Sequence, residues 1–167
     1  MSTNTVISEK ELFIKMVLSN WELQVSRMNN LLAKLSDEEL STPTAPGRNT
    51  GVYLLGHLAA VSDGMLVFLG LGERIDAAMD ELFLRNAENS GLEKPSVLAL
   101  REYWNNVNAI LTDKISQVSA DDWFTRHTAI SEEDFAKEPH RNKLNIVINR
   151  TNHLSYHIGQ LVYLVKK

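Results

Sequence analysis

Ser8 to Leu35 reads SEKELFIKMVLSNWELQVSRMNNLLAKL, and its pattern decides the fold class. Ser8–Glu9–Lys10–Glu11 has the form in which a Ser side chain and a Glu three residues later cap each other's backbone N–H groups, which marks a helix start. Apolar residues then recur at Leu12/Phe13, Met16/Val17, Trp21, Val25/Met28, Leu31/Leu32 and Leu35. This is a helical period, sustained for about seven turns. The segment ends the helix where Ser41–Thr50 (STPTAPGRNT) brings two Pro and a Gly.

Further along the chain the same period returns. A second helix is expected from Thr50 through Leu69, stopping near Gly70 and Gly72. A short helical stretch covers Ile75–Asn86. A third long helix has Pro95 in its first turn and Val97, Leu100, Trp104, Val107, Leu111, Ile115 and Val118 on its apolar stripe. A polar loop from Thr125 to Arg141 precedes a last helix over Asn142–Val165. No stretch alternates with a two-residue period for long enough to make a strand. The reading is all-α: a four-helix bundle with a short extra helix between helices two and three, in one domain spanning residues 1–167. The three Trp, at 21, 104 and 123, are assigned to the core.

A weak internal repeat runs through this pattern. Leu35–Ser36–Asp37–Glu38–Glu39–Leu40 and Val118–Ser119–Ala120–Asp121–Asp122–Trp123 share one form, a Ser cap before an acidic turn. Each is followed by a loop and then by a helix containing x–His–Leu–small, at Gly56–His57–Leu58–Ala59 and at Asn152–His153–Leu154–Ser155. Either the chain is duplicated or a common helix start has recurred.

Composition bounds the chemistry. The 167 residues include 17 Lys+Arg, 21 Asp+Glu, five His and no Cys, for a net charge of −4. Without Cys there is no disulfide framework, iron–sulfur cluster or thiol nucleophile. The acidic balance argues against nucleic acid or an anionic membrane as partner. No uninterrupted apolar run reaches the length of a membrane span, and Met1–Lys10 lacks the pattern of a secretory leader. The expectation is a soluble, cytoplasmic protein whose chemistry uses His, carboxylates and hydroxyls.

Of the five histidines, His153 and His157 lie four apart, which on a helix puts both rings on one face. That spacing lets two imidazoles share a metal ion, although the intervening Leu, Ser and Tyr exclude the protease motif with its general-base Glu. His57 sits in the almost wholly apolar stretch Val52–Val61. Three buried histidines each need a partner, and one metal ion would satisfy all three. The alternative is that each is a core-edge His bonded to a carbonyl or hydroxyl. His127 and His140 lie in polar loop sequence and are expected on the solvated surface.

One His on helix two, within Leu55–Gly56–His57–Leu58, and an H-x-x-x-H near the C-terminus followed by Ile158–Gly159–Gln160–Leu161 together resemble the DinB/YfiT-like superfamily of metalloenzymes. The resemblance covers nearly the whole chain. It implies a four-helix bundle, frequently a homodimer, holding one divalent metal ion on three His. Carried over by position, the metal ligands are His57, His153 and His157. Relatives that use a low-molecular-weight thiol as cosubstrate imply a metal-dependent small-molecule transferase in which the metal activates the thiol. Metal-dependent hydrolysis and a non-catalytic metal-binding or stress-associated bundle remain open alternatives. Imidazole donors suit zinc, nickel or iron. Three neutral ligands leave an open coordination position, as catalytic sites do.

Helical spacing adds supporting candidates. Gln160 is three residues beyond His157, Asn149 four before His153, and Tyr53 four before His57. Each could orient a ligand or donate to a substrate, or could merely share its face. On helix one, Asn20, Gln24 and Arg27 border the apolar stripe, and Arg27 could bind a substrate carboxylate or be an exposed ion-pair partner.

Overall fold

Four long helices carry the structure, a computed structural model that describes residues 7–166: α1 (Glu9–Leu32), α3 (Gly51–Phe68), α5 (Val97–Ser116) and α7 (Lys143–Leu161). Most of the leader reading of Met1–Lys10 therefore falls outside the described residues. Short elements lie between them: α2 (Asp37–Leu40), α4 (Ala78–Asp80) running into a π-helical turn at Glu81–Arg85, a 3₁₀ turn at Asp122–Phe124, and α6 (Glu132–Lys137). Among the described residues there are no strands, only two isolated bridges, Pro43 with Thr50 and Arg126 with Asn142. The all-helical expectation holds.

The helix ends follow local chemistry. Ser8 and Glu11 form the reciprocal cap that opens α1, and Ser36 with Glu39 does the same for α2. Thus α1 stops at Leu32, three residues short of the expected end. Thr50, Ser96, Ser131 and Asn142 each accept a backbone N–H at the start of α3, α5, α6 and α7. Pro95 therefore precedes the α5 cap rather than entering its first turn. The expected polar loop 125–141 contains α6, because Ser131 and the acidic Glu132–Asp134 turn make a helix start of their own.

Contacts between the helices define their directions. Arg101 and Trp104, early in α5, reach the end of α1: Arg101 donates to the carbonyls of Leu32 (2.8 Å) and Leu35 (2.7 Å), and Trp104 Nε1 donates to Asn29 Oδ1 (2.7 Å). At the opposite end, Ile14 of α1 shares a cluster with Leu69, Ile115 and Leu144. Leu40 and Leu164 close over the start of α3. So α1 and α7 run one way, and α3 and α5 the other. Two successive helices, α3 and α5, point in the same direction, so residues 69–96 must travel back along the bundle. This crossover lies against α3 and, as shown below, builds one wall of the site.

Two apolar clusters fill the interior. One gathers Met28, Leu55, Leu58, Phe83, Trp104 and Leu161. The other gathers Trp21, Leu66, Leu111, Trp123 and Val147, and partly buried Val25 touches both. All three Trp are core residues. The helix α3 is apolar and long enough to cross a membrane by length and composition, yet 72% of that window is buried. It is apolar all round because α5, α7 and the crossover cover it on several sides.

The two halves also share local geometry. The Ser119 hydroxyl accepts the N–H of Asp122, as Ser36 does that of Glu39. In each half an isolated bridge then ends on the residue that caps the next long helix, Thr50 or Asn142.

Candidate metal centre

His57 lies early in α3, and His153 and His157 late in α7. Because those helices are antiparallel, the three rings meet. His153 Nε2 is 3.2 Å from His57 Nε2 and 3.1 Å from His157 Nε2. The rings contact one another edge to face, with centroids 4.6–5.1 Å apart. All three side chains are half-buried.

The outer nitrogens fix which atoms face inward. His57 Nδ1 donates to the carbonyl of Phe83 at 2.9 Å. His157 Nδ1 donates to Gln160 Oε1 at 2.7 Å, and the Gln160 amide donates onward to the Tyr156 hydroxyl at 3.2 Å. A carbonyl can only accept, so both rings carry their proton on Nδ1 and turn a bare Nε2 lone pair inward. His153 Nε2 can contribute one proton at most, yet it has two such lone pairs as neighbours. At least one close N···N contact therefore has no proton to bridge it. His153 Nδ1 is buried without a partner.

That proton deficit is the condition a metal ion corrects. In a tetrahedral zinc site with bonds of about 2.0–2.1 Å, ligand nitrogens stand about 3.3 Å apart, close to the separations seen here. The chain's residues fit the ion as three neutral nitrogen donors.

Electrostatics keep the donors unprotonated. Burial, reinforced by His157, His57 and Arg150, pushes the His153 imidazole down to about 4. Burial is also the main cause that lowers His57, with Arg150 adding to it against the Phe83 carbonyl. His157 is lowered chiefly by burial, partly offset by its bond to Gln160.

The crossover supplies the wall behind His57. Phe83, fully buried, packs on Gly56, where a Cβ would collide with its ring. The absence of a side chain next to His57 lets the π-helical turn approach and present its carbonyl. Ahead of that turn, buried Asp63 of α3 anchors the strand of crossover backbone. It accepts the N–H of Ile75 (2.9 Å) and of Asp76 (3.2 Å), and the hydroxyl of Tyr103 (2.7 Å). Beyond the turn, Glu88 accepts from the backbone N–H of Thr50 at 2.9 Å and from its hydroxyl.

A family model of the DinB superfamily matches residues 20–161. The chain belongs to the DinB superfamily. A comparison with curated proteins finds no match.

In this DinB-superfamily protein the supporting candidates fare differently. Gln160 bonds His157 directly. Tyr53 does not reach a nitrogen of His57; it stacks on that ring at 6.5 Å and donates its hydroxyl to the carbonyl of Asn86 at 2.6 Å. Asn149 is exposed and the structure does not bring it to His153, whose Nδ1 is left alone. Gln24 is buried, and Arg27 points outward as an exposed residue. His140 is exposed, but His127 corrects the surface reading. It is only 7% exposed and its Nδ1 accepts the N–H of Ala129, in a segment that the neighbouring Thr128 fastens to the end of α3 through the carbonyls of Val67 and Phe68.

Two features of the site escape sequence reasoning. The Phe83 carbonyl is a main-chain group and leaves no mark on residue identity. Arg150 lies three residues before His153 and seven before His157, the spacing of one helical stripe, and the same arithmetic that singles out Asn149 would have found it. Beside the site, the loop at Thr44–Asn49, Tyr156, His157 and Gln160 line a cavity of about 270 Å³.

Proposed function

We propose that this chain is a metal-dependent small-molecule transferase that uses a low-molecular-weight thiol as cosubstrate. The observation supporting the metal half of this reading is the convergence of three Nε2 atoms, those of His57 and His157 each 3.1–3.2 Å from that of His153, with too few protons to bridge them. The thiol half rests on the kinship of the chain with the DinB superfamily and on the donor set.

A divalent ion held by His57, His153 and His157 supplies a Lewis acid that lowers the pKa of a thiol or water presented to it. The protein's own residues do the rest. The Phe83 carbonyl and Gln160 hold two rings in the tautomer that aims Nε2 inward. The absence of a carboxylate among the donors leaves the ion's charge uncompensated, which favours an anionic sulfur over a neutral one. The cavity lined by His157 gives a small molecule room beside one of the donors. In the transfer, a sulfur–carbon bond forms on the electrophile as its leaving group departs, and the thiol proton leaves with that group.

Metal analysis of protein purified without a His-tag is the first test. Close to one ion per chain is expected for the native protein, and almost none for His57→Ala or His153→Ala variants that fold. Metal content far below one ion per chain, unaltered by either substitution, overturns the metal site. Incubating the metallated protein with a panel of thiols and electrophiles tests turnover. Product formation that requires both the metal and His153 is expected, and its absence with every pair returns the chain to the non-catalytic metal-binding class.

A further inference from the structure

The facing sides of α3 and α7 continue past the histidines. On α3 the stripe is His57, Val61, Gly64, Phe68; on the antiparallel α7 it is His157, His153, Arg150. Arg150 is thus about 4.5 Å along the helix axis from His153 on the same face. It lies over the Phe68 ring, its guanidinium carbon 5.6 Å from the ring centre. Its charge is felt at both His57 and His153, where it disfavours protonation.

Arg150 is half-buried and has no counter-ion. None of the ion pairs among the described residues includes it, and its Nε is buried with no hydrogen-bond partner. The carboxylates that meet its neighbour Arg74 and the crossover backbone are committed elsewhere. Asp80 pairs with Arg74 at 2.7 Å, and the Asp63 oxygens are taken up by Ile75, Asp76 and Tyr103. Arg74 itself is satisfied by Asp80 and by the carbonyl of Ala60, and its proximity makes the surroundings of Arg150 more positive still. A guanidinium whose Nε is buried without a partner and whose terminal nitrogens have no protein partner among the described residues is well suited to a planar oxyanion, which the two terminal nitrogens can grip through paired N–H bonds.

We propose that Arg150 is the anion-binding residue of the three-histidine site, and that the small molecule working there is a thiol bearing a carboxylate: sulfur toward the histidines, carboxylate on the guanidinium. The sulfur half of this assignment rests on the metal reading above, while the carboxylate half stands on Arg150 alone. It also selects among thiols, because a neutral or cationic one leaves Arg150 unpaired.

The test uses 3-mercaptopropionate, 2-mercaptoethanol and cysteamine as probes of the cobalt(II)-loaded full chain, followed by thiolate-to-cobalt absorption. Native protein is expected to bind 3-mercaptopropionate about tenfold or more tightly than the other two. Arg150→Gln removes that preference without changing cobalt content, and Arg150→Lys keeps part of it. Equal binding of the three thiols by native protein overturns the proposal, and so does a preference that survives in Arg150→Gln. In parallel, metal-free protein is titrated with succinate while the Arg150 Nε–H resonance is followed by NMR. A saturable shift of that resonance, accompanied by backbone amide shifts around residue 150 that Arg150→Gln does not show, supports the anion site even if cobalt fails to bind, an outcome that would overturn only the metal reading. A flat titration in protein that does not bind cobalt overturns the anion site as well.

Discussion

The carbonyl of Phe83 accepts the Nδ1 proton of His57 at 2.9 Å, so the crossover that leaves α3 for α5 turns back to set the tautomer of a histidine on α3 itself. The approach depends on Gly56, since a Cβ there would enter the Phe83 ring. Gly56→Ala is expected to destabilise the protein by about 1–3 kcal/mol through overpacking, read from urea denaturation, and to weaken metal binding as the carbonyl is displaced. Gly159, helical and open to solvent, is the contrast: Gly159→Ala meets nothing within 4 Å and is expected to stabilise by about 0.5–1 kcal/mol.

Gln160 holds His157 as Phe83 holds His57. Gln160→Leu removes the acceptor on Nδ1 and frees the ring to change tautomer. Metal affinity is expected to fall about 10–100-fold, measured by competition with a chelator, while the unfolding midpoint of the metal-free protein stays nearly constant because the residue is at the surface. Unchanged affinity would show that the bond to Gln160 does not orient the ligand.

Asp63 fastens the crossover to α3. Its carboxylate is fully buried and satisfied by Ile75, Asp76 and Tyr103; burial and the adjacent carboxylate in turn push the Tyr103 phenol far up, so it remains a donor. Tyr103→Phe is expected to cost about 1.5–3 kcal/mol, as for a hydrogen bond to a charged group. Asp63→Ala should cost more and also weaken metal binding, because the segment carrying Phe83 loses its anchor. Hydrogen exchange at Ile75 and Asp76 would report that loosening directly.

The histidine cluster also makes stability depend on pH. The folded-state pKa of His153 is about 4 against an ordinary value of 6.5, and His57 and His157 are lowered too. Between those limits the unfolded chain binds protons that the folded chain refuses, so stability of the metal-free protein falls as pH drops from 6.5 toward 4. Well above 6.5 all three rings are neutral in both states and stability from this source is constant. Carboxylates held low by their partners, such as Asp122 beside Lys143, act at lower pH, around and below 3.8. Thermal unfolding across the range is expected to show the upper step, and to lose most of it in a His153→Gln variant.

The helical period from Leu12 to Leu35, the Ser caps and the Pro- and Gly-bearing break at 41–50 are local properties, so the sequence by itself determined the four long helices and their approximate ends. It also singled out His57, His153 and His157 by spacing and apolar surroundings, and placed Gln160 one turn from His157. Only the tertiary structure decided what met what. The parallel run of α3 and α5 forces residues 69–96 back along the bundle, and that path brings a main-chain carbonyl to His57 and an Asp–Tyr anchor beneath it. The burial of His127, the turning of Tyr53 toward Asn86 and the outward position of Asn149 were equally beyond reach. The physical reason is one of range. Helix formation and capping are settled within a few residues, whereas the partner of a buried polar atom is chosen by helix direction and crossover path, which no single segment encodes. Arg150 lies between these cases: its place on the histidine stripe is local, but its lack of a counter-ion appears only in the folded structure, where no carboxylate among the described residues pairs with it.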